Sequence, residues 1–349
     1  MKFDTLFRAS EFSEAGAEAA AWEDIGFDCI WGVESGHNPF IPLTLAASAT
    51  QSIDLGTNIA VAFARSPFSM AQVAWDLQAL SQGRFHLGLG TQVRAHVERR
   101  FSMDFTHPAA RLTDYIRCLK AIWDSFQNDR KPDYRGPYYR FELINPMFNP
   151  GPIDHPNIPI YVAGVNPRMC RVAGEVADGF HVHPIHSMGY LRDVVVPAID
   201  EGARPRGKTA KDLELYGLVF VVTGGTQAEM DRMLERVRKQ IAFYASTPSY
   251  RAMLEYHGQE GVGRQLSKLA RAGDFDDMAT LISDDLLEEI AVVAPIDKLG
   301  QALWARCEGV LDRISLYDAL EFADTADYWR TLIRDFRAAA EAPRPSPQA

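Results

Sequence analysis

Residues 53–90, IDLGTNIAVAFARSPFSMAQVAWDLQALSQGRFHLGLG, contain one complete strand–helix–strand unit. Ile53 to Phe63 is apolar and β-branched enough for a strand. Ser66-Pro67 then reads as a helix start, because a serine oxygen accepts orphan amides and proline fits the first turn. Met70, Val73, Leu77 and Leu80 form the expected buried stripe of that helix, and Gly83 ends it. Arg84 to Gly90 is the next strand. A strand, a helix and a second strand in this rhythm give a parallel crossover.

The rhythm extends in both directions. Phe3–Phe7 and Phe27–Val33 read as the first two strands, with a helix from Ser13 between them and another over Pro42–Thr50 before the third. His107-Pro108 opens a long helix carrying Leu112, Tyr115, Ile116, Leu119, Ile122, Trp123 and Phe126. The Pro- and Gly-rich stretch 129–158 reads as a hairpin plus an excursion on the rim. Pro159–Gly164 and Gly179–His183 are the fifth and sixth strands, with Asn166-Pro167 capping the helix between and a further helix over Leu191–Gly202. Leu213–Thr223 is the seventh strand, and Thr226 with Glu229 is a capping box. Pro248–Ile290 is helical without a strand, Val310–Tyr317 is the eighth strand, and Tyr328–Ala340 is the last helix. Eight strands each followed by a helix predict an α/β chain folded as a (β/α)8 TIM-like barrel with insertions after strands 4 and 7. An open doubly wound sheet is the rival. One domain is expected over 1–340, with insertion segments at about 129–158 and 245–295 and a disordered tail at 341–349.

Composition narrows the function. The 349 residues include 36 Lys+Arg against 46 Asp+Glu, a formal charge of −10 that argues against a nucleic-acid partner. Hydrophobic residues at 47% and charged residues at 23% are ordinary for a soluble globular chain. No apolar run is long enough for a membrane helix, and no leader peptide is visible. Cys29, Cys118, Cys170 and Cys307 form no CxxC pair and read as buried, reduced thiols of a cytoplasmic protein. No GxSxG, HExxH or phosphate-loop motif occurs.

A barrel keeps its chemistry at the C-terminal ends of its strands. Glu34-Ser35-Gly36-His37 follows the second strand, and a carboxylate near an imidazole suits proton transfer, or a rim ion pair. Gly88-Leu89-Gly90-Thr91-Gln92 follows the fourth, where the glycines would let backbone approach a planar ligand, or simply turn tightly. Gly164-Val165-Asn166-Pro167-Arg168 follows the fifth and reads as an anion-binding helix start with an arginine clamp, or as an ordinary cap. His181 and His183 share one face of the sixth strand. They could line a ligand, pack, or with Asp318 hold a metal as in metal-dependent barrel hydrolases.

The stretches FDCIWGVES (27–35), LGTNIAVAFARSP (55–67), ALSQGRFHLGLGTQ (79–92), PIYVAGVNPRM (159–169) and AGEVADGF (173–180) together resemble the bacterial luciferase-like superfamily, and within it the coenzyme F420-dependent oxidoreductases. The resemblance runs from Lys2 to Tyr317, apart from Pro248–Ile290. It implies a TIM-like barrel binding F420 or, alternatively, FMN. It also implies a non-proline cis peptide at Asn58-Ile59 behind the ring and Val61 where relatives place a polar residue. Gly90, Thr91, Gln92 and His96 would touch ring or tail, and Gly164, Val165, Asn166 and Arg168 the phosphate. Glu34 and His37 are the expected proton-handling pair; Phe63 and His183 are expected in the substrate pocket. The family's sugar-phosphate dehydrogenases have an Asp-His pair where this chain has Glu34-Ser35, and an acid where it has Val93. A sugar phosphate is therefore not the expected substrate. The apolar rim (Phe40, Phe63, Tyr138, Tyr139, Phe141, Phe148, Met169) suggests an uncharged, fairly hydrophobic small molecule. A homodimer is expected, with a flavin reductase as partner if the chain is instead an FMN-dependent monooxygenase.

Overall fold

The computed structural model describes residues 1–8, 11–318 and 325–341. The expected tail beyond Glu341 lies outside the described residues. In chain order the strands are β1 (Lys2–Phe3), β2 (Thr5–Phe7), β3 (Cys29–Gly32), β4 (Asp54–Thr57), β5 (Ala60–Val61), β6 (Phe85–Gly90), β7 (Tyr134–Arg135), β8 (Arg140–Phe141), β9 (Ile160–Gly164), β10 (Gly179–Val182), β11 (Glu214–Val222), β12 (Ala291–Val293) and β13 (Arg313–Leu316). The chain divides into two compact units: Asp4–His181 with Val194–Leu215, and Met1–Phe3 with Val182–Asp193 and the chain from Tyr216 onward.

The first unit holds the order β2-β3-β4-β6-β9-β10, with β5 beside β6. Its strands pair in parallel, for example Ile30↔Leu55 and Leu87↔Ile160. The expected strand Ile53–Phe63 is interrupted. Between β4 and β5 the Asn58–Ile59 peptide is cis. The chain then rejoins β6 with Val61 opposite Gly90 before a 3-10 turn at Ala62–Ala64. The helix Pro67–Leu80 starts as expected, with Ser66 Oγ accepting the Ser69 amide at 3.1 Å. Its buried face differs from the expected stripe: Leu80 is exposed and Val73 half-buried, while Ala71, Ala74, Trp75 and Gln78 are inside. Small alanines allow a close approach to the sheet. Buried Gln78 is satisfied because its side-chain oxygen accepts the Phe85 amide at 3.1 Å. In the 21-residue helix Pro108–Asn128 all seven expected stripe residues are buried.

The expected hairpin is β7 antiparallel to β8, pairing Tyr134 with Phe141. It is docked by Asp114, whose carboxylate accepts the Tyr138 and Tyr139 amides at 2.8 and 2.9 Å and the Tyr134 hydroxyl at 2.6 Å.

The second unit has the order β1-β13-β11-β12, all parallel. The capping box at Thr226 and Glu229 forms and opens the helix Gln227–Ala245. Residues 248–290 are helical as expected, but Ala291–Val293 then adds β12 to β11. Three residues are too few to show a period in the sequence. All four cysteines are free and buried. Burial pushes the Cys118, Cys170 and Cys307 thiols up to about 12, which makes them inert. Among the described residues no helix is long and apolar enough to cross a membrane.

Candidate active site

The parallel strands of the first unit end at one edge, and the candidate residues lie on the loops beyond it. Glu34, just past β3, turns back over β5. Its Oε2 accepts the Val61 amide at 2.7 Å and Arg65 Nη1 at 2.8 Å, and its Oε1 accepts Arg65 Nη2 at 2.7 Å. The carboxylate is 5% exposed and the arginine 18%. A forked arginine and a backbone amide saturate this carboxylate. The structure does not join Glu34 to His37. The imidazole is exposed on the rim, edge-on to Phe12 at 5.1 Å. Arg65 is a partner of Glu34 that the sequence did not reveal; nothing local links two side chains 31 residues apart.

The glycines beyond Arg84 open space for the protein's own groups. A Cβ on Gly88 would fall 1.8 Å from the Thr57 carbonyl oxygen and 2.4 Å from His181 Nε2; on Gly90 it would meet Ile59 Cδ1 at 2.7 Å. Gly90 thus makes room for the side chain that follows the cis bond. Ile59 and Asn58 are half-buried and Val61 buried. Past β6, Thr91 donates its hydroxyl to the Gln92 carbonyl at 3.2 Å. Gln92 is left-handed (φ 57°), and its side-chain oxygen accepts the Val93 amide at 2.9 Å. His96 lies exposed on the short helix Arg94–Arg99.

Past β9 the arrangement is open. Gly164 and Val165 are half-buried. Asn166 caps the helix Pro167–Val176, its Oδ1 accepting the Met169 amide at 3.1 Å. Asn166 and Arg168 are exposed. The Arg168 amide belongs to the first turn, whose N–H groups have no helical partner, and its guanidinium stands beside the positive end of the helix. β6 is the strand between β4 and β9, so the cis bulge and this helix start follow strands that flank the same neighbour.

The apolar rim is mostly interior. Phe40, Phe63, Phe141 and Met169 are buried, Tyr139 is half-buried, and Tyr138 and Phe148 are exposed. Two of these rings lie under arginines: Arg65 lies over Phe40 at 5.3 Å, and Arg111 lies over Phe63 at 4.9 Å. Arg111 is itself fixed by the Tyr139 hydroxyl and the Asp104 carbonyl. Phe63, Phe68, Met103, Tyr139 and Phe141, together with Arg65, Arg111 and Arg140, line a cavity of about 280 Å³.

His183 lies in the second unit, half-buried, stacked on Tyr250 at 4.2 Å and edge-on to Tyr244 at 4.9 Å. Burial and the neighbouring His186 lower its pKa to about 3. His181 is a core residue of the first unit, packed against Trp31 and Tyr161. Asp318, in the second unit, meets Gln240 at 3.1 Å and Arg236 at 3.4 Å. The expected alternative of a metal held by His181, His183 and Asp318 is not formed. Among the described residues no three His, Cys, Asp or Glu side chains converge as metal ligands.

The family model described as luciferase-like monooxygenase matches residues 4–313. The chain belongs to that family. An uncharacterised protein of Mycobacterium tuberculosis is 44% identical over 305 residues, covering 87% of this chain and 90% of the relative. A second protein of that organism, whose name provisionally makes it a coenzyme F420-dependent oxidoreductase, is 30% identical, covering 82% and 85%. The coenzyme F420-dependent tetrahydromethanopterin reductase of Methanopyrus kandleri superposes with a TM-score of 0.74 at 21% identity, over 95% of this chain and 96% of that one. A type II Baeyer-Villiger monooxygenase of Pseudomonas putida, in complex with FMN, superposes with a TM-score of 0.65 at 17% identity, over 98% of each. These likenesses show the fold: the TIM-like barrel of the luciferase-like class. The chain is an oxidoreductase of that class, whose members use a deazaflavin or a flavin. The donor set fits such a group. A capped helix start with an exposed arginine suits its phosphate, and the half-buried Ile59 beside the cis bond offers an apolar back to its ring.

Proposed function

We propose that this chain is a coenzyme F420-dependent oxidoreductase moving hydride to or from an uncharged, fairly hydrophobic organic substrate, and that it works as a cytoplasmic homodimer. The observation that carries the reading is the arrangement on one sheet edge of the Asn58–Ile59 bulge and the open helix start at Asn166 and Arg168. The relative named for F420, 30% identical over 304 residues, favours the deazaflavin over FMN. The aromatic part of the cavity between Phe63 and Phe141 supports a substrate with a largely apolar body. The free, buried cysteines fit a reducing compartment.

When bound, the deazaflavin supplies the hydride-carrying ring carbon. The chain's own residues do the rest. Asn166 and Arg168 hold the phosphate. Glu34, locked to Arg65, holds the Val61 amide and so fixes β5 behind the ring. His37, the exposed imidazole two residues past Ser35, takes or gives the proton on the substrate. The wall of Phe63 excludes water.

The test is turnover under two regimes. With oxidised F420 and a panel of apolar secondary alcohols, the expected result is loss of the F420 absorbance. Oxygen-dependent product formation with reduced FMN, and none with F420, would instead make the chain an FMN monooxygenase served by a reductase.

A further inference from the structure

We propose that the cavity beside the 134–141 hairpin is a binding site for a small aromatic carboxylate, its ring against Phe63, Phe68 and Phe141 and its acid group on Arg140. This ligand lies beyond the oxidoreductase reading: it is charged where the proposed substrate is not, and the two would compete for the aromatic wall.

The cavity lies wholly within the first unit. Its lining comes from the start of the helix Pro67–Leu80, from the helix Pro108–Asn128 and from β8. Cys118 and Ile122 line it from well inside the long helix, so the space reaches down between elements rather than lying flat on the surface. Its volume of about 280 Å³ is at the small end for ligand cavities, enough for one aromatic ring and a short acid arm. Phe68 is itself held, edge-on to Phe126 at 5.9 Å and tilted against Phe141 at 5.9 Å.

Charge gives the cavity its selectivity. Three arginines line it, and no carboxylate does. Arg65 is matched, because Glu34 takes both arms of its fork. Arg111 is partly matched: it donates to the Tyr139 hydroxyl at 2.9 Å and the Asp104 carbonyl at 2.6 Å, with the exposed Asp104 carboxylate 3.4 Å away. Arg140 is exposed on β8, and among the described residues its guanidinium meets no hydrogen-bond or ion-pair partner. The nearby carboxylates are engaged elsewhere. Glu142 and Asp133 pair with Arg135, and Asp114 accepts the Tyr138 and Tyr139 amides. Ser66, Pro67 and Phe68, also in the lining, open a 14-residue helix whose positive end adds to the same sign.

One whole positive charge therefore stands beside aromatic walls with nothing from the chain to balance it. A monoanion with an aromatic body meets both features, and a planar carboxylate matches the guanidinium fork. A neutral molecule gains only the walls, and a cation is repelled.

The experiment uses the full chain without cofactor. Calorimetric titration at about pH 7 compares 3-phenylpropanoate with 3-phenylpropanamide, which differ in charge and scarcely in size. The acid is expected to bind at one equivalent per chain, about tenfold more tightly than the amide, with the gap narrowing at high salt. Arg140→Gln, at an exposed position, should close that gap while the affinity for the amide and the unfolding midpoint stay in place. Phe68→Ala should weaken the acid and the amide alike. No saturable binding of the acid, equal affinity for the two probes, a gap that survives in Arg140→Gln, or an acid affinity indifferent to Phe68 would each overturn the proposal. None of these readings involves F420, so failure here is distinct from a failure of the chain to bind F420.

Discussion

Two loops of the first unit carry polar groups to the same sheet edge and treat them in opposite ways. Past β3, the Glu34 carboxylate has every strong partner supplied by the chain: the Arg65 fork and the Val61 amide. Past β9, the helix start at Asn166 spends its side-chain oxygen on Met169, and Arg168 beside it is exposed. A saturated group holds shape, and a group left open at the surface is available to a ligand. On the proposed function Glu34 therefore belongs to the scaffold of the bulge, and Arg168 to recognition. His37 stands between these cases as an exposed ring with an aromatic neighbour and, among the described residues, no ionic partner.

Substitutions can break this contrast. Glu34→Ala strands the Arg65 charge and the Val61 amide in a nearly buried site, and should cost roughly 3 kcal/mol of stability by denaturant unfolding. A loss below about 0.5 kcal/mol, the range of an ordinary surface change, would remove the scaffold role. His37→Ala should lower kcat about 100-fold while the unfolding midpoint stays in place. Unchanged kcat would clear His37 of proton transfer. Arg168→Ala should weaken cofactor binding about tenfold with no change in stability, the reverse of Glu34→Ala. Asn166→Ala sharpens the comparison further, because its cap is shared between helix and site. About 1 kcal/mol of stability should go, with a smaller effect on cofactor affinity than Arg168→Ala.

What the sequence revealed was local. Ser66-Pro67, Asn166-Pro167 and Thr226 with Glu229 cap their helices because the capping bond spans three residues and depends on residue type alone. The seven-residue stripe of Pro108–Asn128 was legible because its period matches the helix. The parallel order of the strands followed from the crossovers. What stayed hidden required distant partners. Arg65 on Glu34, Arg111 over Phe63, and Asp114 docking the 134–141 hairpin each join segments about 20 or more residues apart, and no spacing rule links them. The aromatic rim was misjudged for the same reason, since the cations that cover Phe40 and Phe63 come from elsewhere in the chain. The cis bond at Asn58–Ile59 was anticipated only through family resemblance; composition gives no hint of it.

The central claim is that the open helix start at Asn166–Arg168 holds the phosphate of a deazaflavin. Titration of the purified chain with F420, followed by quenching of the cofactor fluorescence, tests it most directly. The account expects saturable binding at one equivalent per chain, weakened about tenfold in Arg168→Ala and kept in His37→Ala. Saturable quenching by FMN but not by F420, or an F420 affinity indifferent to Arg168, would contradict it.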